Sequence, residues 1–192
     1  MSNREFKATE VTTTKPVRLS YVYLTTPRKN DDGSDGKYGA TLLIPKTDKA
    51  TIKALNAAID AAKAEGASKK GIKGADSFQS PLRDGDGERP RGGEYGPECK
   101  GMIVLNTTSN RQPKIYDRRV QPLIDPDEIY SGMWANVSLN FSCFSVPGNK
   151  GISCYLNLVQ KVRDDQPLGG AAPKAEDVFS AIDDDDDDDL GL

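Results

Sequence analysis

The stretch YSGMWANVSLNFSCFSVPGNKGISCYLNLVQKVR, residues 130–163, decides the fold. It reads as two long strands. Gly132 opens the first, and Pro147, Gly148, Asn149, Lys150 and Gly151 supply the turn between them. In the first strand Ala135, Val137, Leu139, Phe141 and Cys143 share one face, and Trp134, Asn136, Ser138, Asn140, Ser142 and Phe144 share the other. In the second, Ile152, Cys154, Leu156 and Leu158 alternate with Ser153, Tyr155, Asn157 and Val159. Period-two alternation is what a half-buried antiparallel pair requires. The polar face mixes small hydrogen-bonding residues with the rings of Trp134, Phe144 and Tyr155 and leads into Lys161 and Arg163. A wet sheet face with rings and cations at its edges suits unpaired, stacked bases.

Working outward, 192 residues suffice for one ordinary domain and a tail. Apolar residues make up 36% of the chain, with 12 Pro and 18 Gly, so one core with long irregular segments is expected. No apolar run approaches membrane-spanning length, and the N-terminal MSNREFKATEV lacks the apolar region of a secretion signal. The expected location is the cytoplasm.

Cys99, Cys143 and Cys154 are the three cysteines, and there is no histidine. An odd cysteine count argues against a disulfide framework. The missing histidines remove ordinary zinc sites, histidine bases and serine triads. Neither a cofactor nor an enzymatic activity is expected. Cys143 and Cys154 fall on inward faces, as small buried apolar residues do.

The net charge of −3 hides an asymmetry. Residues 164–192 hold eleven acids against Lys174 alone, a charge of −10, which leaves +7 on residues 1–163. A basic body joined to an acidic tail points to a polyanionic partner and a tail that competes with it.

Along the chain, residues 1–16 read as a loose arm or frayed strand, and VRLSYVYL (17–24) as a strand. NDDGSDG (30–36) suggests a calcium loop only superficially, because Leu42 stands where a bidentate Glu is needed. KYGATLLI (37–44) is a second strand. Thr47 or Asp48 can cap a helix running to about Glu65, with Ile52, Leu55, Ala58, Ile59 and Ala62 as its apolar stripe and Gly66 as its stop.

Residues 66–97 carry Lys69, Lys70, Lys73, Arg83, Arg89 and Arg91 among Phe78 and Tyr95, a pattern suited to tracking a nucleic-acid strand or to a solvated loop. CKGMIVLNTT (99–108) is a third strand and Pro113–Tyr116 a short fourth. Arg111, Lys114, Arg118 and Arg119 gather around Tyr116, which favours phosphate contact. GGAAP (169–173) reads as a linker. EDVFSAI (176–182) and seven aspartates follow it, and mutual repulsion should keep the acidic run unfolded. The expected division is a binding domain over residues 1–165 and a tail over 166–192.

With these stretches in hand, PLRDGD (81–86), IYSGMWANVSLNF (129–141), KGISCYLNLVQKVRD (150–164), LGG (168–170) and EDVF (176–179) resemble phage-encoded single-stranded DNA-binding proteins. The resemblance implies an oligonucleotide/oligosaccharide-binding fold: mainly β, a small Greek-key barrel with one inserted helix and a disordered acidic C-terminal tail. It implies sequence-tolerant binding of single-stranded DNA in phage replication or recombination. It further implies a tail that recruits replication or recombination proteins, through Asp183, Asp184, Asp185, Asp186, Asp187, Asp188 and Asp189 and the apolar Leu190 and Leu192. The usual apolar tip ends in phenylalanine, whereas this one ends in leucine. The helix falls after the second strand rather than the third, which reads either as a weak strand hidden in 66–97 or, in preference, as an inserted helix.

The resulting expectation is that bases stack on Trp134, Phe144, Tyr155 and Tyr116, while Arg111, Lys114, Arg118, Arg119, Lys161 and Arg163 line the phosphate path. Two other classes stay open. One is a metal-dependent nuclease using Asp84, Asp86 and Asp117; the other is a virion or protein-interaction component that works through its tail. No membrane partner is expected, and monomer and dimer are both compatible with the sequence.

Overall fold

The computed structural model describes residues 5–169. Eight strands form: β1 (Glu10–Thr12), β2 (Val17–Tyr23), β3 (Gly39–Pro45), β4 (Arg83–Asp84), β5 (Met102–Asn106), β6 (Lys114–Tyr116), β7 (Trp134–Val146) and β8 (Asn149–Arg163). One α-helix, α1 (Lys49–Ser68), sits between β3 and β4. β7 and β8 are the long hairpin that the alternation indicates, and every strand pairing is antiparallel except β6 with β8.

The hydrogen-bonded path runs β4-β5-β3-β2-β7-β8-β6, with β1 on β7. Two further bonds close it. Thr108, just past β5, donates its N–H to the Cys154 carbonyl and accepts from the Leu156 N–H, each at 3.0 Å. This isolated parallel bridge ties the segment just past β5 to β8, so β2, β3, β5, β8 and β7 form a ring. That circuit is the oligonucleotide/oligosaccharide-binding barrel. β4 lies outside it, on the edge of β5, so α1 is an insertion between the second and third barrel strands.

Inside the ring Val17, Leu19, Leu42, Ile44, Leu105, Val137, Leu139, Phe141 and Leu156 are fully or almost fully buried. α1 closes the core with Leu55, Ala58, Ile59 and Ala62, the stripe that its helical spacing marks. Asp48 caps it, accepting from the Thr51 N–H at 3.2 Å. Gly66 does not end the helix, which continues to Ser68. A Cβ there would lie 2.8 Å from the Cys143 Cβ, so the glycine serves close packing against β7.

The second strand of the hairpin departs from strict alternation. Leu139 faces Leu156 but Ser138 faces Leu158, leaving Asn157 as an extra residue in β8. The bulge reverses the phase, so Val159 is buried at 1% exposure and Leu158 is exposed at 37%. The faces read from sequence therefore hold through Leu156 and invert after it.

Residues 66–97 are more ordered than their composition suggests. Lys46 binds Asp84 and Asp86, at 2.5 and 2.6 Å, and Asp86 also accepts from the Gly101 N–H. Hydrogen bonds to this ammonium hold both carboxyls below their ordinary pKa and raise that of Lys46. Asp117 sits instead in the turn after β6, accepting from the N–H groups of Arg119 and Gln121. Phe78 and Tyr95 pack into two satellite clusters, with Cys143 and with Leu43, Cys99 and Val104 respectively. Leu168 joins the latter cluster, and its N–H bonds the Ser131 carbonyl at 2.8 Å. No described helix is long and apolar enough to cross a membrane.

Candidate nucleic-acid interface

Register defines one continuous outer face across β1, β7, β8 and β6. Directly opposed residues share a face of the sheet. Trp134 opposes Arg163, Asn136 opposes Gln160, Asn140 opposes Tyr155, Ser142 opposes Ser153 and Phe144 opposes Gly151. Lys114 and Tyr116 join through Leu158 and Gln160. All four rings expected to stack bases thus lie on this surface, each half-buried. Ten residues separate Trp134 from Phe144, roughly 33 Å along a strand.

Trp134 holds one end. Its Nε1 donates to Asp165 at 2.7 Å, and the Arg163 guanidinium lies 4.3 Å from the ring centroid. Arg18, opposite Trp134 on β2, donates to the carbonyls of Gly132 and Gln166 and sits 3.8 Å from Asp165. The bond from Trp134 is the largest influence lowering the Asp165 pKa, followed by the Gln166 N–H; Arg18 and Arg163 add to it. The arrangement presents a tryptophan fixed at its edge beside two arginines. Phe144 marks the other end, with its ring 3.5 Å from where a Gly151 Cβ would stand. Lys70 reaches this end from beyond α1 and donates to Ser142 Oγ and the Cys143 carbonyl.

Of the six expected phosphate ligands, the structure separates Lys161 from the rest. The bulge at Asn157 puts Lys161 on the inward phase opposite Ala135, where it is 7% exposed. Its ammonium binds Glu128 and Asp164 and lies 5.5 Å from the Tyr130 ring. Burial opposes its charge, but the bonds to Asp164 and Glu128 outweigh burial and raise its pKa. Lys161 is an internal anchor, not a free cation on the outer face. A second offset, at Val162, returns Arg163 to the side of Trp134.

Arg111, Lys114, Arg118 and Arg119 are exposed and make no ion pair among the described residues. Arg118, Arg119 and Arg163 line an open cleft of about 530 Å³ shared with Asp117, Glu128 and Asp164. Asp183 to Asp189, Leu190 and Leu192 lie outside the described residues.

Two rings that the alternation assigns to the interior are instead on the surface. Tyr21 is 58% exposed and Tyr23 39%. Period two places both in phase with Leu19, so only an irregularity in β2 could reveal them.

The family described as "Enterobacter phage Enc34, ssDNA-binding protein" matches residues 9–190. The chain is 30% identical to the putative protein p50 of Acyrthosiphon pisum secondary endosymbiont phage 1, over 84% of this chain and 88% of that one. Its structure is similar to that of the single-stranded DNA-binding protein of bacteriophage Enc34 in complex with ssDNA. The TM-score is 0.70 at 30% identity, over 85% of this chain and 91% of the other. It shares its fold with gp2.5, a single-stranded DNA-binding protein encoded by bacteriophage T7, at TM-score 0.54 and 13% identity over 89% and 94% of the two chains.

Proposed function

The chain belongs to the phage Enc34 single-stranded DNA-binding family, and on that premise we propose that it binds single-stranded DNA without sequence preference during phage replication or recombination in the host cytoplasm. The observation that carries the reading is the outer face of β7 and β8. Trp134, Tyr155 and Phe144 are set along a hydrogen-bonding surface, with Tyr116 on the neighbouring strand and exposed cations around it. Stacking on ring faces accepts any base, and each real stack is worth roughly 1–3 kcal/mol. Arg111, Lys114, Arg118, Arg119 and Arg163 follow the backbone phosphates. The protein acts by binding and carries out no chemistry on DNA.

The tail, 166–192, serves two ends in this reading. Its charge of −8 against the +5 of residues 1–165 makes it a competitor for the DNA face, and its aspartates with Leu190 and Leu192 recruit replication or recombination proteins.

Titration with poly-dT, read by the single tryptophan, is the test. Quenching of Trp134 and retention of poly-dT over duplex are expected. Deleting residues 180–192 should tighten binding, most at low salt. A chain that ignores poly-dT at modest ionic strength, with its tail removed, overturns the reading. Incubation with DNA and magnesium or manganese should leave the DNA intact; cleavage would favour the nuclease class.

A further inference from the structure

Two open clefts adjoin on the flank of β6, and Leu123 lines both. The first, of about 470 Å³, is walled by Ile115, Leu123, Ile124 and Ile129 with Pro113 and Pro122. The second is the cleft of Arg118, Arg119 and Arg163 described above. One hairpin builds the pair. β6 is bonded to its return segment by the Leu123 N–H to the Ile115 carbonyl and the Asp117 N–H to the Gln121 carbonyl, each at 2.9 Å. Ile115 and Ile129 are buried, while Ile124 is 87% exposed, more than any other large apolar side chain among the described residues. Val120, in the turn of the same hairpin, is 63% exposed at φ +62°. The turn needs a left-handed residue there, and glycine would meet that need with less strain than a β-branched side chain. Neither Val120 nor Ile124 belongs to the core of the domain.

An apolar hollow beside a cationic one suits a ligand with the same two halves side by side. This chain carries such a ligand. Residues 176–189, EDVFSAIDDDDDDD, set Val178, Phe179 and Ile182 directly before seven aspartates, with nine acids and no base in all. Burial of the apolar side chains favours the first cleft, and charge complementarity favours the second for the acids that follow. The segment is also within reach. Asp164 lines the second cleft, and the described residues end at Gly169. Phe179 lies ten residues further on, a span of roughly 33 Å when extended, against a radius of gyration of roughly 15 Å for a domain of this size.

We propose that the apolar cleft beside β6 is the seat of this chain's own Val178, Phe179 and Ile182, and that seating them lays Asp183 to Asp189 across Arg118, Arg119 and Arg163. The apolar side chains hold the segment, and the aspartates shut the phosphate path. The inference rests on the reading of the tail as a competitor for DNA and gives that tail an address away from the stacking rings of β7 and β8.

The test is NMR of the full chain without DNA, with isotope-labelled isoleucine methyls. Phe179→Ser removes the largest apolar group of the segment and no charge. It should move the methyl resonances of Ile115, Ile124 and Ile129 and leave those of the core residues Ile44 and Ile59 in place. In the parent these resonances should not change on dilution. Anisotropy with labelled dT oligonucleotides at low salt supplies the second readout. Phe179→Ser and Ile124→Ser should each tighten binding about threefold, as a segment seated about two-thirds of the time requires, and the two together no further. Ile124→Thr repeats the measurement should the serine variant misfold. Unmoved isoleucine methyls in Phe179→Ser overturn the seat, as do affinity gains that add in the double variant. Parent resonances that follow dilution put a second copy's segment in the cleft and overturn the assignment within one chain. A parent chain blind to dT overturns the single-stranded DNA reading, and the methyl resonances then decide the seat by themselves.

Discussion

Replacing Arg118 and Arg119 together with glutamine isolates the phosphate contribution from the stacking one. Arg111, Lys114, Arg118 and Arg119 are exposed and unpaired among the described residues, whereas Lys161 is held by Glu128 and Asp164 and Arg163 leans on Asp165. On a single strand each neutralised phosphate contributes about 0.7 to the slope of log affinity against log salt, so four give a slope near −3. Between about 50 and about 200 mM salt the parent should then weaken roughly 50-fold. With two of these four phosphate contacts removed the slope falls to about −1.4, and the same step should cost only about sevenfold. Lys161→Gln is the matched control. It should lower stability, because Glu128 and Asp164 lose their shared partner, and leave the slope where it was. The assay is anisotropy of labelled dT at five or six salt concentrations, with urea melts of each variant. A parent slope near zero would refute phosphate contact. A Lys161→Gln slope reduced as much as by one arginine would refute the assignment of Lys161 as an internal anchor.

Other expectations test the frame behind the face. Bonding to Trp134 lowers the folded-state pKa of Asp165, so its contribution is complete above the unfolded carboxylate value, about 3.9, and is lost as pH falls through the lower folded value. Emission of the single tryptophan should hold steady down to about pH 4 and shift below it, and Asp165→Asn should abolish that shift; a transition centred above pH 5 would count against the linkage. Gly66→Ala gains up to about 1 kcal/mol of helix propensity but forces a Cβ against Cys143, an overpacking cost of about 1–3 kcal/mol, so urea melts should show a net loss. The bulge at Asn157 predicts that Val159→Thr, which buries a hydroxyl, costs about 1–3 kcal/mol, and that Leu158→Thr stays within about 0.5 kcal/mol. Equal costs would restore unbroken alternation.

The barrel was legible because its long hairpin alternates cleanly for a dozen residues. Inward Ala135, Val137, Leu139, Phe141 and Cys143 needed no information beyond period two. The stripe on α1 was legible for the same reason at period 3.6. What local pattern does not encode is a contact between distant segments. The closure depends on two backbone bonds of Thr108 to β8, which any residue type could make. Gly66 carries the composition of a helix stop, but its neighbour in space is Cys143, 77 positions on, and that proximity decides its role.

The candidate site was legible as a set of rings and cations, but not in its phase. Composition announces rings and cations, yet whether a side chain meets solvent depends on parity within its strand, and one extra residue reverses parity. Two of the three offsets in this sheet show this. Asn157 in β8 turns Lys161 from the outer face toward Glu128, removing a cation that alternation would have offered to phosphate. The bulge at Tyr21 in β2 does the opposite, bringing out two rings that alternation would have buried beside Leu19. Both lie in strands of otherwise ordinary β composition, and neither is marked by glycine or proline at the offset. A bulge is stable when the residue it turns inward finds a partner there. Val159 and Lys161 meet the core and two carboxylates; Val22 meets the core and Ser131. The outward-facing set is therefore chosen by what the interior accepts, and a candidate interface in this barrel is best inferred from register first and residue type second.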